Sequence, residues 1–216
     1  MIRINEALIL LMGIFTRRTK EKADWLVVGL GNPGSRYEQT RHNIGWMVVH
    51  SLCEKSGKPL RASSSIYLLS NFKIAGVDVA VAAPTTFMNA SGEAVVKLSK
   101  KLGLPADKIV VIADEYNFEL GKIHLRLDGS DGGHNGLASV IDELGTMDFY
   151  RLRCGIGRNF PAGGMVDYVL SDFLTEDQEM RSLMVARAVD AIEYLIRNGS
   201  ERAMSAINSG SLWGTK

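Results

Sequence analysis

Strand-like and helix-like segments alternate along this 216-residue chain. The alternation predicts an α/β protein: a single-domain, three-layer α/β/α sandwich around a mixed, largely parallel twisted sheet. Two runs, WLVVGL at residues 25–30 and KIVVIADE at 108–115, are apolar almost without a break, as strands covered on both faces are. Around them lie segments whose apolar residues recur every three to four positions and which stop at a glycine, as helices do.

In chain order, WLVVGL is the first strand and HNIGWMVVHSLCEKSG a helix that stops at Gly57. IYLLSNFKIAG and VDVAVAAP are β-like runs divided by Gly76, as in a hairpin. TFMNASGEAVVKLSKKLG is helical after its first turn and ends at Gly103. KIVVIADE is the second buried strand, GKIHLRL alternates like a half-exposed one, and GLASVIDELG is a short helix. RLRCGIGR, VDYVLSDF and a long helical stretch, EDQEMRSLMVARAVDAIEYLIRNG, complete the core. Neither a repeat nor a low-complexity segment interrupts them.

Lysine and arginine together number 25, against 24 aspartates and glutamates, and even this excess is local. Residues 1–22 hold five basic and two acidic residues, which leaves the remainder slightly acidic. A nucleic-acid partner therefore has to be recognised by a local patch, since bulk charge does not indicate one. Cys53 and Cys154 sit among apolar neighbours, which fits buried thiols in a reducing compartment. His42, His50, His124 and His134 lack close ligand spacing, so no metal site is expected.

Residues 1–23 form an N-terminal extension to a domain spanning 24–216. Within it, INEALILLMGIF is apolar and precedes TRRTKEKAD, the reverse of signal-peptide order, and is too short to span a bilayer. It reads as a flexible or amphipathic leader, a weak membrane-surface contact, or sequence ahead of a true start at Met12, the last being favoured.

Three glycine-rich or capping blocks carry the chemistry. Residues 28–43 read VGLGNPGSRYEQTRHN, residues 84–94 PTTFMNASGEA and residues 129–140 GSDGGHNGLASV. Each puts asparagine where a loop meets a helix, a residue that forms helices poorly but both donates and accepts hydrogen bonds. Gly29, Gly31 and Gly34 make a G-x-G-x-x-G, yet Pro33 delays the helix that a dinucleotide pyrophosphate needs, and Glu54 lies at a helix end rather than closing a second strand. This disfavours a nucleotide-dependent oxidoreductase. His42 precedes a helix, and Asp114 ends an apolar strand, where a rigid sheet holds residues that act on substrates. A carboxylate on one imidazole nitrogen fixes the tautomer and frees the other as a base. There is no G-x-S-x-G elbow, so an activated water is the simplest nucleophile.

GLGNPG, TRHN, TTFMN and GGHNG, in this order and at these separations, resemble the bacterial type of peptidyl-tRNA hydrolase, with similarity running from Trp25 to Asn208. The resemblance implies hydrolysis of the ester joining a peptide to the 3′-terminal ribose of tRNA, by a cytoplasmic monomer that needs no cofactor, no metal, no DNA and no membrane. It implies His42 and Asp114 as the catalytic pair and Asn32 at the catalytic centre. Asn89, Asn135, His134 and Met88 would bind substrate, Tyr37 would receive the 3′ end of tRNA, and Arg126 and Arg153 would clamp the 5′-terminal phosphate. Capping chemistry for the asparagines, core packing for Met88 and strand-edge solubility for the arginines are the plainer alternatives. A non-catalytic RNA-binding relative of the same fold is the alternative function.

The chain departs from the family pattern after Asp114. DEYNFELG carries Asn117 where a second acid is usual and Glu119 where proline is common, and the glycine-rich loop bears Asp128 and Asp131. These changes are expected to weaken attraction for RNA or to alter lid motion. Gly155 and Gly157, followed by Arg158 and a PAGG turn at Pro161, suit a mobile flap over a groove.

Overall fold

The computed structural model describes residues 22–214. The readings placed on residues 1–21, Met12 among them, lie outside the described residues. Seven strands form one sheet: β1 (Trp25–Gly29), β2 (Arg61–Ser64), β3 (Tyr67–Ile74), β4 (Val77–Pro84), β5 (Ile109–Glu115), β6 (Ile123–Leu127) and β7 (Tyr150–Gly155), in the order β2-β3-β4-β1-β5-β7-β6. The central pairings β4·β1, β1·β5 and β5·β7 are parallel, whereas β3·β4, β2·β3 and β6·β7 are antiparallel. The sheet is mixed with a parallel centre, as the unbroken apolar runs predict.

The helices are α1 (Ile44–Lys55), α2 (Ser91–Leu102), α3 (Asn135–Leu144), α4 (Met165–Val169), α5 (Gln178–Asn198) and α6 (Ser200–Asn208). Strand alternation divides the interior into two cores. Val27, Val110, Ile112 and Leu152 face Val48 and Leu52 of α1, Ile192 of α5 and Ile207 of α6. Leu26, Val28, Ile109 and Val111 face Val95 and Leu98 of α2 and Val140 of α3. Every residue of β5 is buried, which is why it reads as an apolar run without alternation.

Turn chemistry agrees with the sequence at two places. Ala75 and Gly76 both take positive φ (51° and 88°), the conformation of a two-residue hairpin between β3 and β4. Gly103 ends α2 in the left-handed conformation, its N–H donating to the Ser99 carbonyl at 2.8 Å.

Two glycines of the G-x-G-x-x-G, Gly29 and Gly31, have packing roles, against Gly45 and Trp46, while Gly34 serves the turn with a φ of 106°. A methyl on Gly29 would lie 2.1 Å from the Gly45 carbonyl oxygen, and one on Gly45 would lie 2.5 Å from the Ile112 carbonyl. α1 thus crosses β1 and β5 at backbone contact, and this close approach sets the position of the turn before it.

Three elements differ from the sequence reading. β2 is a short polar edge strand, RASS, held by β3 with a register shift between Ala62 and Ser64; without an apolar alternation it leaves no trace in the sequence. VDYVLSDF contributes only Val169 and Phe173 to the core, while Val166 stays 56% exposed. Gly155, read as part of a flap, ends β7 and is a contact point, since a methyl there would meet the Glu119 carbonyl oxygen at 2.1 Å.

Candidate active site

Because β4, β1, β5 and β7 run in the same direction, their carboxyl ends open on one edge of the sheet. After β1 the chain builds β2 to β4 on one side of it, and only later β5 to β7 on the other. Ligands of open α/β sheets bind where the strand order reverses in this way. A cleft of about 310 Å³ lies there, lined by residues that follow β1 (Asn32 and His42) and β4 (Phe87 to Asn89), by the end of β5 (Asp114 to Tyr116), by the glycine-rich loop and the start of α3 (Asp131 to Asn135) and by α4 (Met165, Val166, Val169).

At its floor the imidazole Nδ1 of His42 lies 2.7 Å from Asp114 Oδ1. His134 approaches the same oxygen through Nε2 at 3.0 Å, and the two rings are 4.8 Å apart. The tautomers follow from the partners. His134 is the N-cap of α3, and its Nδ1 accepts from the N–H groups of Gly136 and Leu137 at 3.0 and 3.2 Å. Nδ1 being the acceptor, the proton is on Nε2, which donates to Asp114. Asp114 Oδ1 likewise draws the His42 proton to Nδ1 and leaves His42 Nε2 with a free lone pair. Burial would raise the Asp114 carboxyl, yet the positive charge that His42 and His134 carry when protonated, and their hydrogen bonds, outweigh it and hold the group well below the usual carboxylate range.

His42, Asp114 and His134 also bring their ligand atoms within 4.8 Å of one another, a convergence that the scattered histidines do not suggest in sequence. Each ring nitrogen facing Asp114 carries a proton, and the other nitrogen of His134 is committed to two backbone N–H groups. A cation would have to displace both histidine–aspartate hydrogen bonds, so the donor set fits a hydrogen-bonded triad better than a metal centre.

TRHN is a single 3-10 turn, Arg41–Asn43, all buried. With about three residues per turn its successive side chains point in three directions. His42 enters the cleft. Asn43 turns back to β1, its Oδ1 accepting from the Asn32 N–H and its Nδ2 donating to the Asn32 carbonyl, both at 2.9 Å. Asn32 in turn accepts the Met88 N–H on Oδ1 at 2.8 Å, so its Nδ2 is the group left to donate. Neither Asn32, Asn89 nor Asn135 caps a helix through its side chain: Ala90 and His134 occupy the cap positions beside the last two. Asn89 and Asn135 are exposed on the cleft wall, and among the described residues no protein group holds their amides. Met88 is both core and floor, buried within the second core while lining the cleft.

Known proteins similar to this chain share one family. A family model described as peptidyl-tRNA hydrolase matches residues 26–213. The peptidyl-tRNA hydrolase of Geobacillus kaustophilus is 43% identical over 185 residues, covering 85% of this chain and 98% of the relative. That of Thermodesulfovibrio yellowstonii is 40% identical over 185 residues at the same coverages. The solved structure of peptidyl-tRNA hydrolase from Acinetobacter baumannii superimposes with a TM-score of 0.81 at 34% identity, over 88% of this chain and 96% of that one. The chain belongs to the peptidyl-tRNA hydrolase family.

Not every residue implied by the family pattern reaches the cleft. Tyr37 lies outside its lining, half-buried, with the Arg36 guanidinium 4.5 Å from its ring centre. Arg126 and Arg153 stand on one face of the β6·β7 ladder, where His124 pairs with Arg153 and Arg126 with Arg151. Arg126 is exposed, whereas Arg153 is ion-paired with the buried Glu115. Arg151, 2% exposed, is held by the carbonyls of Met147, Phe149 and Gly129. The acids of the glycine-rich loop have local structural work: Asp131 accepts the Gly133 N–H at 2.7 Å and so shapes the loop that presents His134.

Residues that sequence reasoning left without a role complete the site. Phe87, 57% exposed, stands with Val166 and Leu170 on the cleft rim and makes it apolar. Its signal was its place inside TTFMN. Asn43 was visible inside TRHN, but nothing in sequence connects it to Asn32.

Proposed function

We infer that the cleft hydrolyses peptidyl-tRNA with His42 as the general base. His42 Nε2 takes a proton from a water whose oxygen attacks the carbonyl carbon joining the peptide to the 3′-terminal ribose. The tetrahedral intermediate then collapses, the bond from carbon to ribose oxygen breaks, and the imidazolium returns its proton to that oxygen. Asp114 keeps the His42 proton on Nδ1 and stabilises the imidazolium. Asn32 Nδ2 donates to the carbonyl oxygen as negative charge develops on it. Asn89 and Asn135 hold the peptide backbone, and Phe87, Val166 and Leu170 accept the acyl side chains. Arg126 and Arg153, together on the β6·β7 face, bind the acceptor-end phosphates, and Tyr37 lies toward the 3′ nucleotides. We place its action, as a monomer, in the cytoplasm with the translation machinery. No helix among the described residues is long and apolar enough to cross a membrane.

The observation that carries this reading is the 2.7 Å contact of His42 Nδ1 with Asp114 at the floor of the cleft, which leaves Nε2 as the free nitrogen. The test is release of free tRNA from an N-acetylated aminoacyl-tRNA. His42→Ala should lower kcat by about three orders of magnitude with KM within about threefold, because a base acts in the transition state and not in binding. Tight tRNA binding without turnover by the unmodified protein would instead support the non-catalytic RNA-binding reading.

A further inference from the structure

The third side chain of the 3-10 turn, Arg41, takes no part in the chemistry above, although it is among the most constrained in the molecule. It is 3% exposed. Its Nη1 donates to the Ser171 hydroxyl at 2.7 Å, the Asp172 carbonyl at 2.6 Å and the Ser171 carbonyl at 3.3 Å. Its guanidinium lies 4.3 Å from the Tyr168 ring centre and 5.3 Å from that of Phe173. Asp177 faces Nη2 at 3.8 Å. The backbone joins the same contact, since the Arg41 N–H donates to the Ser171 carbonyl at 3.0 Å and Thr40 forms a bridge with Asp172. All of these partners belong to the segment 168–177.

This segment continues directly from the apolar wall of the cleft. α4 has five residues, too few to be stable alone. Val169 and Phe173 anchor it by burial, but burial has no direction and does not fix how far Val166 and Leu170 lean over the cleft. Directional contacts do so. One is the Tyr168 hydroxyl, which donates to the Ile156 carbonyl at 2.7 Å. The others come from the 3-10 turn and the residue before it: the Thr40 bridge to Asp172, and the contacts of Arg41, whose planar fork lies against Tyr168 while its donors reach residues 171 and 172. A lysine has neither the plane nor the fork.

We propose that Arg41 is a positioning residue that sets the α4 wall relative to His42 and thereby determines selectivity for the acyl group. Arg41 touches neither substrate nor the reacting atoms. It fastens the wall to the residue beside the base, so the width of the acyl site and the position of the base are fixed by one turn. The proposal rests on reading the Phe87, Val166 and Leu170 rim as the acyl site.

The test uses one tRNA charged either with N-acetylglycine or with N-acetylphenylalanine, and compares Arg41→Met, Arg41→Lys and Tyr168→Leu with the unmodified protein. Tyr168→Leu loosens the same wall by removing the Ile156 hydrogen bond and the ring against Arg41, while every residue of the 3-10 turn stays in place, which keeps the test valid if Arg41→Met fails to fold. In each variant KM for the phenylalanyl ester should rise roughly tenfold with kcat within about twofold, while the glycyl ester changes by less than about twofold. Arg41→Lys should resemble Arg41→Met despite keeping its charge near Asp177. Equal changes for both esters, or a loss confined to kcat, would overturn the proposal. If the unmodified protein itself does not distinguish the two esters, the acyl-site reading falls, and the proposal with it. If it does and the variants keep the preference, only the role of Arg41 falls.

Discussion

Replacing Asp114 by asparagine should cost less here than the same change in a hydrolase with a lone carboxylate–histidine pair, and the reason is His134. When only one histidine faces the new amide, the NH₂ can turn toward it and put the ring proton on the wrong nitrogen, at a cost of about 10⁴ in kcat. In this site His134 Nε2 must donate, because its Nδ1 is occupied by the N–H groups of Gly136 and Leu137. The amide is therefore obliged to point its oxygen at the two rings, and His42 keeps its tautomer. What is lost is charge. A carboxylate facing an imidazolium at contact, with an effective dielectric near 20, is worth about 4 kcal/mol, and access of water through the cleft lowers this to about 2–4 kcal/mol. Asp114→Asn should then lower kcat by roughly 30- to 1000-fold, with the melting temperature nearly unchanged since a buried charge is exchanged for a neutral group that keeps both hydrogen bonds. His134→Ala alone loses the α3 cap, worth about 0.5–2 kcal/mol of stability. In the double variant the amide is free to turn, so kcat should fall well below the product of the two single effects. The assay is single-turnover hydrolysis of N-acetylated aminoacyl-tRNA, with calorimetry on each variant. An Asp114→Asn rate already down by 10⁴, or strict additivity in the double variant, would refute the tautomer argument.

The two arginines on the β6·β7 face should separate. Arg126→Ala and Arg153→Ala should each raise KM for full-length peptidyl-tRNA by roughly five- to a hundredfold and flatten its salt dependence, while barely affecting an ester of a short 3′ fragment. Only Arg153→Ala should lower the melting temperature, because it leaves the buried Glu115 carboxylate with the Asn117 N–H but without its ion pair; an equal loss with both substrates would assign these residues to the fold. Burial pushes the Cys53 thiol up to about 11 and, together with the Asp114 charge, pushes Cys154 higher still. Since both pKa values are raised, both thiols stay protonated at pH 8 and should resist iodoacetamide until the protein is unfolded; stoichiometric alkylation of the native protein would contradict their placement.

Much of this protein is written in short windows of sequence. The unbroken apolar runs of β1 and β5, the helical spacing that stops at Gly103 and Gly145, and the Ala75–Gly76 hairpin are decided by burial and φ preference within a few residues. They carry into the structure directly. So does the family pattern, since its four blocks are contiguous. VDYVLSDF is different, because eight residues with four apolar side chains suit a core strand or a short wall helix equally well. The polar β2 gives no local signal, as its place is chosen by its partner β3.

The candidate site divides in the same way. Residue types at loop ends pointed to His42, Asp114, Asn32, Asn89 and Asn135, but not to what each atom does. His42 and Asp114 are 72 positions apart, and Asp114 and His134 are 20 apart. Whether a ring nitrogen donates or accepts depends on the group it meets, and that group is supplied by a different strand end. Sequence determined which residues stand at the carboxyl edge of the sheet, because strands and turns are local. Only the tertiary structure decided that His134 holds Asp114, that Asn43 holds Asn32 and that Arg41 holds the cleft wall, because a hydrogen bond is a property of two partners within about 3 Å.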